Sequence, residues 1–351
     1  MKNNMINKQS EIHARCNKIS KVHYGNTLYN NLDIVDCYLP NGPANKARSI
    51  SHYCSCDVLR SILNNRRLRF SDVRFLNDAT EFVEIIPIIN QVLDKGKYEN
   101  AFKKLIQESD EMRQLESYIQ SYTGRIKRTG SHEMIPYKTY TCSFSEDGDA
   151  LGLWNSYTLP GDGVSIGFKH AKDIFGVCRK AESVDVEKLG NNIVARRGPV
   201  IYRDKDKEKC IRRLFEDLNN VFQVAAEDID KFKNLILASF VDAVNNLRCF
   251  LKNEAFEFEK EYRIVLNVPE NLLRFNANSD EFKTGQFKRG NVLIPYIDFP
   301  INIKSIKKIV LNPIMKEQDG MFELGIKELL WQNKMEDVKV YTSRIPLRKY
   351  Y

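Results

Sequence analysis

No apolar run in the 351-residue chain approaches the ~18 residues that a membrane helix requires. The first residues, Met1 to Ser10, are polar and carry no apolar signal-like stretch. Membrane and secreted classes therefore recede, and a cytoplasmic protein with no membrane partner is the expectation. No two of the eight cysteines form a C-x-x-C pair; the closest are Cys54 and Cys56. The five histidines lie at no zinc-finger spacing from them. Neither a metal nor a disulfide framework is expected, and the cysteines read as reduced thiols, several of them buried. Also missing are G-x-x-x-x-G-K-[ST], G-x-G-x-x-G, H-E-x-x-H and G-x-S-x-G. Standard P-loop kinases, Rossmann dehydrogenases, zincins and serine hydrolases lose their main support.

What is present is an ordinary globular composition, 42% apolar and 28% charged, with a net charge of +8. That charge suits an anionic partner without choosing between an enzyme and a nucleic-acid binder. The length fits two domains, or one with large insertions.

Residues 1–47 read as an N-terminal extension, with scattered basic residues and a turn-rich stretch at 39–43. The organised chain is expected to begin near Ser49. Residues 49–53 read as a strand and 56–64 as a helix with Val58, Leu59, Ile62 and Leu63 on one face, capped by Ser55 or Asp57. Further strands are expected at 67–71, 137–144, 164–168, 198–202, 262–268, 291–299, 306–311 and 338–341. Helices are expected at 80–93, over much of 98–122, at 149–157 and at 320–332. A helical insert over about 205–251 breaks near Ala226-Glu227-Asp228. The fold class is α+β, one sheet-based core over 48–351 carrying helical insertions.

Three clusters can carry chemistry. His52-Tyr53 ends a strand before a helix, where a histidine points into a cleft or is satisfied within the core. The segment Tyr140-Thr-Cys-Ser-Phe-Ser145 leads into a short helix with Trp154 and Tyr157 three residues apart, hence on one helical side. Either ring can stack on a planar ligand or fill the core. In Phe256-Glu-Phe-Glu-Lys-Glu-Tyr-Arg263, Glu259, Glu261 and Arg263 share a face if the segment is a strand. They form either a tuned carboxylate site or a solvated strand edge.

Taken in order, these segments resemble the bacterial domain-of-unknown-function family 2971. The residues that carry the likeness are Ser51-His52-Tyr53-Cys54-Ser55 with Leu59, Ile62, Leu63 and Leu68, then Leu76-Asn77-Asp78 with Glu81-Phe82, Ser143-Phe-Ser145, Trp154-x-x-Tyr157, Phe256 with Glu259-x-Glu261-x-Arg263, and Ser343-Arg-Ile-Pro-Leu-Arg348. The likeness spans about 48–350. The same residues resemble, more distantly, the ADP-ribosyltransferase superfamily of the His-Tyr-Glu type. His52 matches its strand-borne His, Tyr157 its Tyr, and Glu261 the Glu that opens a late strand, with Glu259 as a second candidate. Tyr53 stands where many members have Gly.

That resemblance implies a core of two small packed β-sheets with NAD bound between them, and no metal. His52 would bond a ribose of NAD, and Tyr157 would stack on nicotinamide. Glu261 would hold the nicotinamide ribose 2′-OH and stabilise charge as the glycosidic bond lengthens. Arg263 would orient Glu261 or meet a phosphate. Tyr53, Ser143, Trp154, Arg74 and Asn77 complete the implied cofactor set. The acceptor of ADP-ribose is a protein, a nucleic acid or water, and toxins and defence effectors are the expected biological classes. Two other readings stand beside this one. The +8 charge suggests a non-catalytic nucleic-acid-binding or effector-adaptor protein, and the run Arg60, Arg66, Arg67, Arg69 and Arg74 can attract either nucleic acid or the NAD pyrophosphate. Glu259 with Glu261 suggests another carboxylate enzyme acting on a nucleotide or sugar.

Overall fold

A computed structural model of the chain describes residues 2–20, 32–36, 49–78, 81, 83–122, 137–158, 162–175, 193–275, 282–314 and 320–347. The 39–43 turn stretch and Arg348 lie outside these residues.

Local chemistry sets the first elements around the site. Strand β2 (Ile50–Cys54) runs into α2 (Cys56–Asn65). Ser55 caps that helix by accepting the Val58 N–H at 3.3 Å, and Asp57 sits in its first turn. Leu59, Ile62 and Leu63 are the buried stripe. Arg66, at φ 53°, ends the helix in the left-handed region, and β3 (Arg67–Asp72) follows.

The sheet is built around β4 (Tyr137–Ser145), which exchanges partners along its length. On one side it pairs with β7 (Glu261–Pro269) through nine register positions, from Tyr137↔Pro269 to Ser145↔Glu261. On the other side it meets β3 at Thr141 and Tyr140, and then β2 through the single pair Ser51↔Ser145. Two arms therefore diverge from β4. One continues from β2 to β5 (Val164–Phe168), β10 (Ile306–Leu311) and β11 (Lys339–Thr342). The other continues from β3 to β9 (Val292–Pro300) and β8 (Lys283–Arg289). Beyond β7 lie β6 (Ile193–Pro199) and β1 (Leu32–Asp36). Where two separate sheets are expected, hydrogen bonds join these strands into one branched sheet.

Strand β7 is buried on both faces, and the alternation of its side chains sorts them into two environments. Tyr262, Ile264, Leu266 and Val268 enter the core under α2. Val265 enters a second core, made by helices. Glu261 and Arg263 share the Val265 face, so two charged groups are carried to the seam between sheet and helices. The helical layer comprises α1 (Lys2–Ser20), α3 (Ile85–Lys95), α4 (Asn100–Gln107), α5 (Asp110–Tyr122), α7 (Asp204–Ala225) and α8 (Ile229–Leu247), with α6 (Leu151–Tyr157) on the sheet side. Residues 226–228 form a short 3₁₀ break between α7 and α8.

Several expectations are corrected. The organised chain does not begin at Ser49. Helix α1 docks on α7 and α8 by burying Ile12, Cys16 and Ile19, and β1 pairs with β6. The expected helix 80–93 starts later, at Ile85, leaving Glu81 in the turn before it; Phe82 lies outside the described residues. Glu259 is not on β7. It closes a 3₁₀ turn (Glu254–Glu259), and Lys260, at φ 42°, reverses the backbone before the strand starts. No helix among the described residues is long and apolar enough to cross a membrane.

Candidate active site

The two arms leave a fork at β4, and the fork holds a cleft of about 530 Å³, within the range of small-molecule sites. Strand β2 supplies His52 and Tyr53, β4 supplies Ser143, and α6 supplies Tyr157. The segment entering β7 supplies Glu259, Glu261 and Arg263, and Asn77 stands exposed at the lip. Eight of the ten residues singled out from the sequence thus line one cavity.

Its inner wall is a buried knot of five charged groups. Arg263 is 1% exposed. Its Nε donates to Glu261 Oε1 at 2.7 Å, its Nη2 to Glu261 Oε2 at 3.0 Å, and Nη1 to the Cys249 carbonyl at 3.0 Å. Nη2 also donates to Glu81 Oε1. Lys252 Nζ donates to Glu259 Oε2 at 2.6 Å and Glu261 Oε2 at 3.1 Å, and lies 3.7 Å from Glu81 Oε1. Its ammonium also sits 4.6 Å from the Phe256 ring centroid. Removing these charges from water costs several kcal/mol per ion, so the mutual pairing is what makes the knot tolerable.

The environment divides the three carboxylates. Burial opposes the charge of Glu261, but Arg263, then Lys252 and the Ser143 hydroxyl, outweigh it and hold the group well below the usual carboxylate range. At Glu81 burial prevails over Arg263 and Lys252 and raises the pKa. Its Oε2 has no hydrogen-bond partner among the described residues. Burial also works against the charge on Lys252, yet Glu261, Glu81 and Glu259 together raise its pKa. With Glu81 ionised, the knot carries one negative charge in excess.

Tyr157 joins the knot to the open cleft. Its ring is 38% exposed, and its hydroxyl donates to Glu259 Oε1 at 2.9 Å. Burial of the hydroxyl, with Glu259 and Glu261 nearby, drives its pKa up. His52 is partly exposed, and its Nδ1 lies 2.9 Å from the Ser143 carbonyl. Burial lowers the imidazole pKa more than that hydrogen bond raises it. The neutral ring therefore carries its proton on Nδ1, donating to the carbonyl, and Nε2 is the acceptor. That is the arrangement needed to receive a hydroxyl proton.

Two sequence candidates lie elsewhere. Trp154 is 2% exposed. Its indole N–H donates to Asp149 Oδ1 at 2.9 Å, and its ring meets Tyr53 edge-on at 4.8 Å. The same Asp149 accepts from the Ser343 hydroxyl and the Arg344 N–H, so Trp154 helps anchor the chain's last segment. Arg74 grips Asp72 with two hydrogen bonds, at 2.9 and 2.5 Å, because that nearly buried carboxylate needs a counter-charge. Tyr53 does line the cleft, but its hydroxyl is a strut between the Asp147 carbonyl and the Ala150 N–H, each at 2.9 Å. The basic run 60–74 is also largely paired: Arg60 with Asp57, Arg69 with Asp298 and Arg74 with Asp72.

Sequence reasoning missed Lys252, Glu81 and Tyr202, whose hydroxyl accepts the Glu261 N–H at 2.8 Å. Lys252 ends the apolar run Cys249-Phe-Leu251, a weak signal. Glu81 stands in the stretch Leu76-Asn77-Asp78…Glu81-Phe82 that carries the family likeness, but its charge partners lie 171 and 182 positions away, so the sequence does not assign it to the site.

A family model described as Protein of unknown function (DUF2971) matches residues 153–264. That stretch contains Tyr157, Lys252, Glu259, Glu261 and Arg263, and it begins after His52. No curated protein matches the chain, and no solved structure does.

Proposed function

We propose that the protein is an NAD-dependent ADP-ribosyltransferase or NAD glycohydrolase. The observation that supports this reading is the convergence of His52, Tyr157 and Glu261 on one cleft, from three elements far apart in the chain. A bound dinucleotide places the nicotinamide ribose beside the acidic wall. His52 accepts a ribose hydroxyl through Nε2, and Tyr157 covers the nicotinamide. Arg263 and Lys252 fix Glu261 in its ionised form. As the bond from C1′ to nicotinamide lengthens, positive charge develops on the ribose and meets a preorganised negative site largely shielded from water. Nicotinamide leaves with the bonding electron pair. An acceptor's lone pair forms the new bond to C1′, and the acceptor loses a proton. A protein or nucleic-acid acceptor gives ADP-ribosylation, and water gives hydrolysis. A role as a toxin or defence effector accords with such an activity.

The +8 net charge motivates the nucleic-acid-binding alternative, but the pairing of Arg60, Arg69 and Arg74 with Asp57, Asp298 and Asp72 leaves the basic run 60–74 with less free positive charge. The test is incubation of the chain with NAD labelled in the adenosine half, alone and with cell lysate. Nicotinamide release or label transfer is expected, and E261Q should lower the rate about 10²–10³-fold. Absence of both products, or full activity in E261Q, refutes the proposal.

A further inference from the structure

The cleft has a second wall of opposite character. On the β3–β9–β8 arm it is lined by Arg69, Phe287, Arg289 and Ile294. Register places these side chains on one sheet face: Arg69 opposite Asp298, Phe287 opposite Ile294, and Arg289 opposite Val292. The same face carries Tyr296, paired with Gly285. A Cβ on Gly285 would come 2.5 Å from the Tyr296 hydroxyl, so the bare backbone lets that ring lie across it. Arg69 then stacks on Tyr296, 3.6 Å from its centroid, and forks onto Asp298 at 2.9 and 3.1 Å.

The result is one immobilised guanidinium and one available. Phe287 lies between them, 5.7 Å from Arg69 and 5.8 Å from Arg289. Arg289 is exposed, and among the described residues no acid lies within ion-pair distance of it. It stands at the tip of the hairpin, beside Gly290 at φ 57°. The cleft thus has two unlike ends, with the ionised Glu261 and two further carboxyl groups at the buried end and a cationic, aromatic rim at the open end.

A ligand that satisfies both ends has a sugar able to carry positive charge at one end and phosphate at the other. We propose that the Phe287–Arg289 rim, backed by Arg69, is the subsite for the diphosphate of the bound dinucleotide, with Arg289 as the direct anion contact. This rests on the dinucleotide reading above and adds the orientation in which the substrate lies.

The test is calorimetric titration of ADP, a diphosphate probe lacking nicotinamide, into the full chain. Wild-type protein should bind ADP, and R289A should weaken binding about tenfold or more. R289K, which keeps charge but loses the fork, should fall between the two, and R289E should bind least. The differences should shrink in high salt, with the thermal transition unchanged. No ADP binding by the wild type, or equal affinities in wild type and R289A, overturns the subsite. Nicotinamide release is scored separately. Arg289-dependent ADP binding without nicotinamide release supports the subsite and defeats the activity, while release with Arg289-independent ADP binding does the reverse.

Discussion

The two walls of the cleft hold similar chemistry in opposite surroundings. At the inner wall, Arg263 pairs with Glu261 in a fork that is at most 3% exposed. At the rim, Arg69 pairs with Asp298 in a similar fork, with side chains 42% and 23% exposed. A buried fork is brittle, because losing one partner strands a charge away from water. An exposed fork contributes little to stability, because water replaces whichever partner is lost. The inner wall thus fixes geometry, while the rim is free to change and to select.

Breaking each wall should expose that difference. R263M leaves the buried Glu261, Glu81 and Glu259 to share the ammonium of Lys252 and should cost about 3–5 kcal/mol in urea unfolding. A loss below about 1 kcal/mol would erase the distinction between the walls. Y157F removes a hydrogen bond to Glu259 from a partly exposed ring and should cost about 1 kcal/mol by the same measurement. A double-mutant cycle on Arg69 and Asp298 should give a coupling of about 0.2–1 kcal/mol that fades in salt.

The pH dependence sharpens the contrast further. The pKa of His52 is lowered from 6.5 in the folded chain, so the unfolded chain binds more protons there. Its contribution is present above pH 6.5 and is lost as the pH falls through the folded pKa. Stability measured across that range should fall towards acid, and H52N should flatten the slope. An unchanged slope would place the titrating group elsewhere.

Elements with strong periodicity were legible from the sequence. The spacing of Leu59, Ile62 and Leu63 is enough for α2, and Ala226-Glu227-Asp228 marks the break between α7 and α8. Strand β8 was not legible: Lys-Thr-Gly-Gln-Phe-Lys-Arg has one large apolar residue, and its strand character comes from pairing with β9. Helix α1 was missed for a related reason, because its three buried positions make sense only against α7 and α8. At the site, residues borne on predictable strands were found, as His52, Glu261 and Arg263 illustrate. The residues that pair with them were not, because Glu81 meets Arg263 from 182 positions away and Lys252 reaches Glu259 and Glu261 only where the 3₁₀ turn and Lys260 fold the chain back. Trp154 shows the converse error, since helical spacing puts two rings on one side without saying which enters the core.

Lys260 has a consequence for how this chain can vary. In an extended strand, residues two apart sit about 6.7 Å from each other. The left-handed step at Lys260 instead brings Glu259 and Glu261 onto the single ammonium of Lys252. Adding or deleting one codon here would slide β7 by one position and turn Glu261 and Arg263 towards the apolar core. Heritable change at the joint is therefore confined to substitution, with glycine the replacement that best keeps the bend.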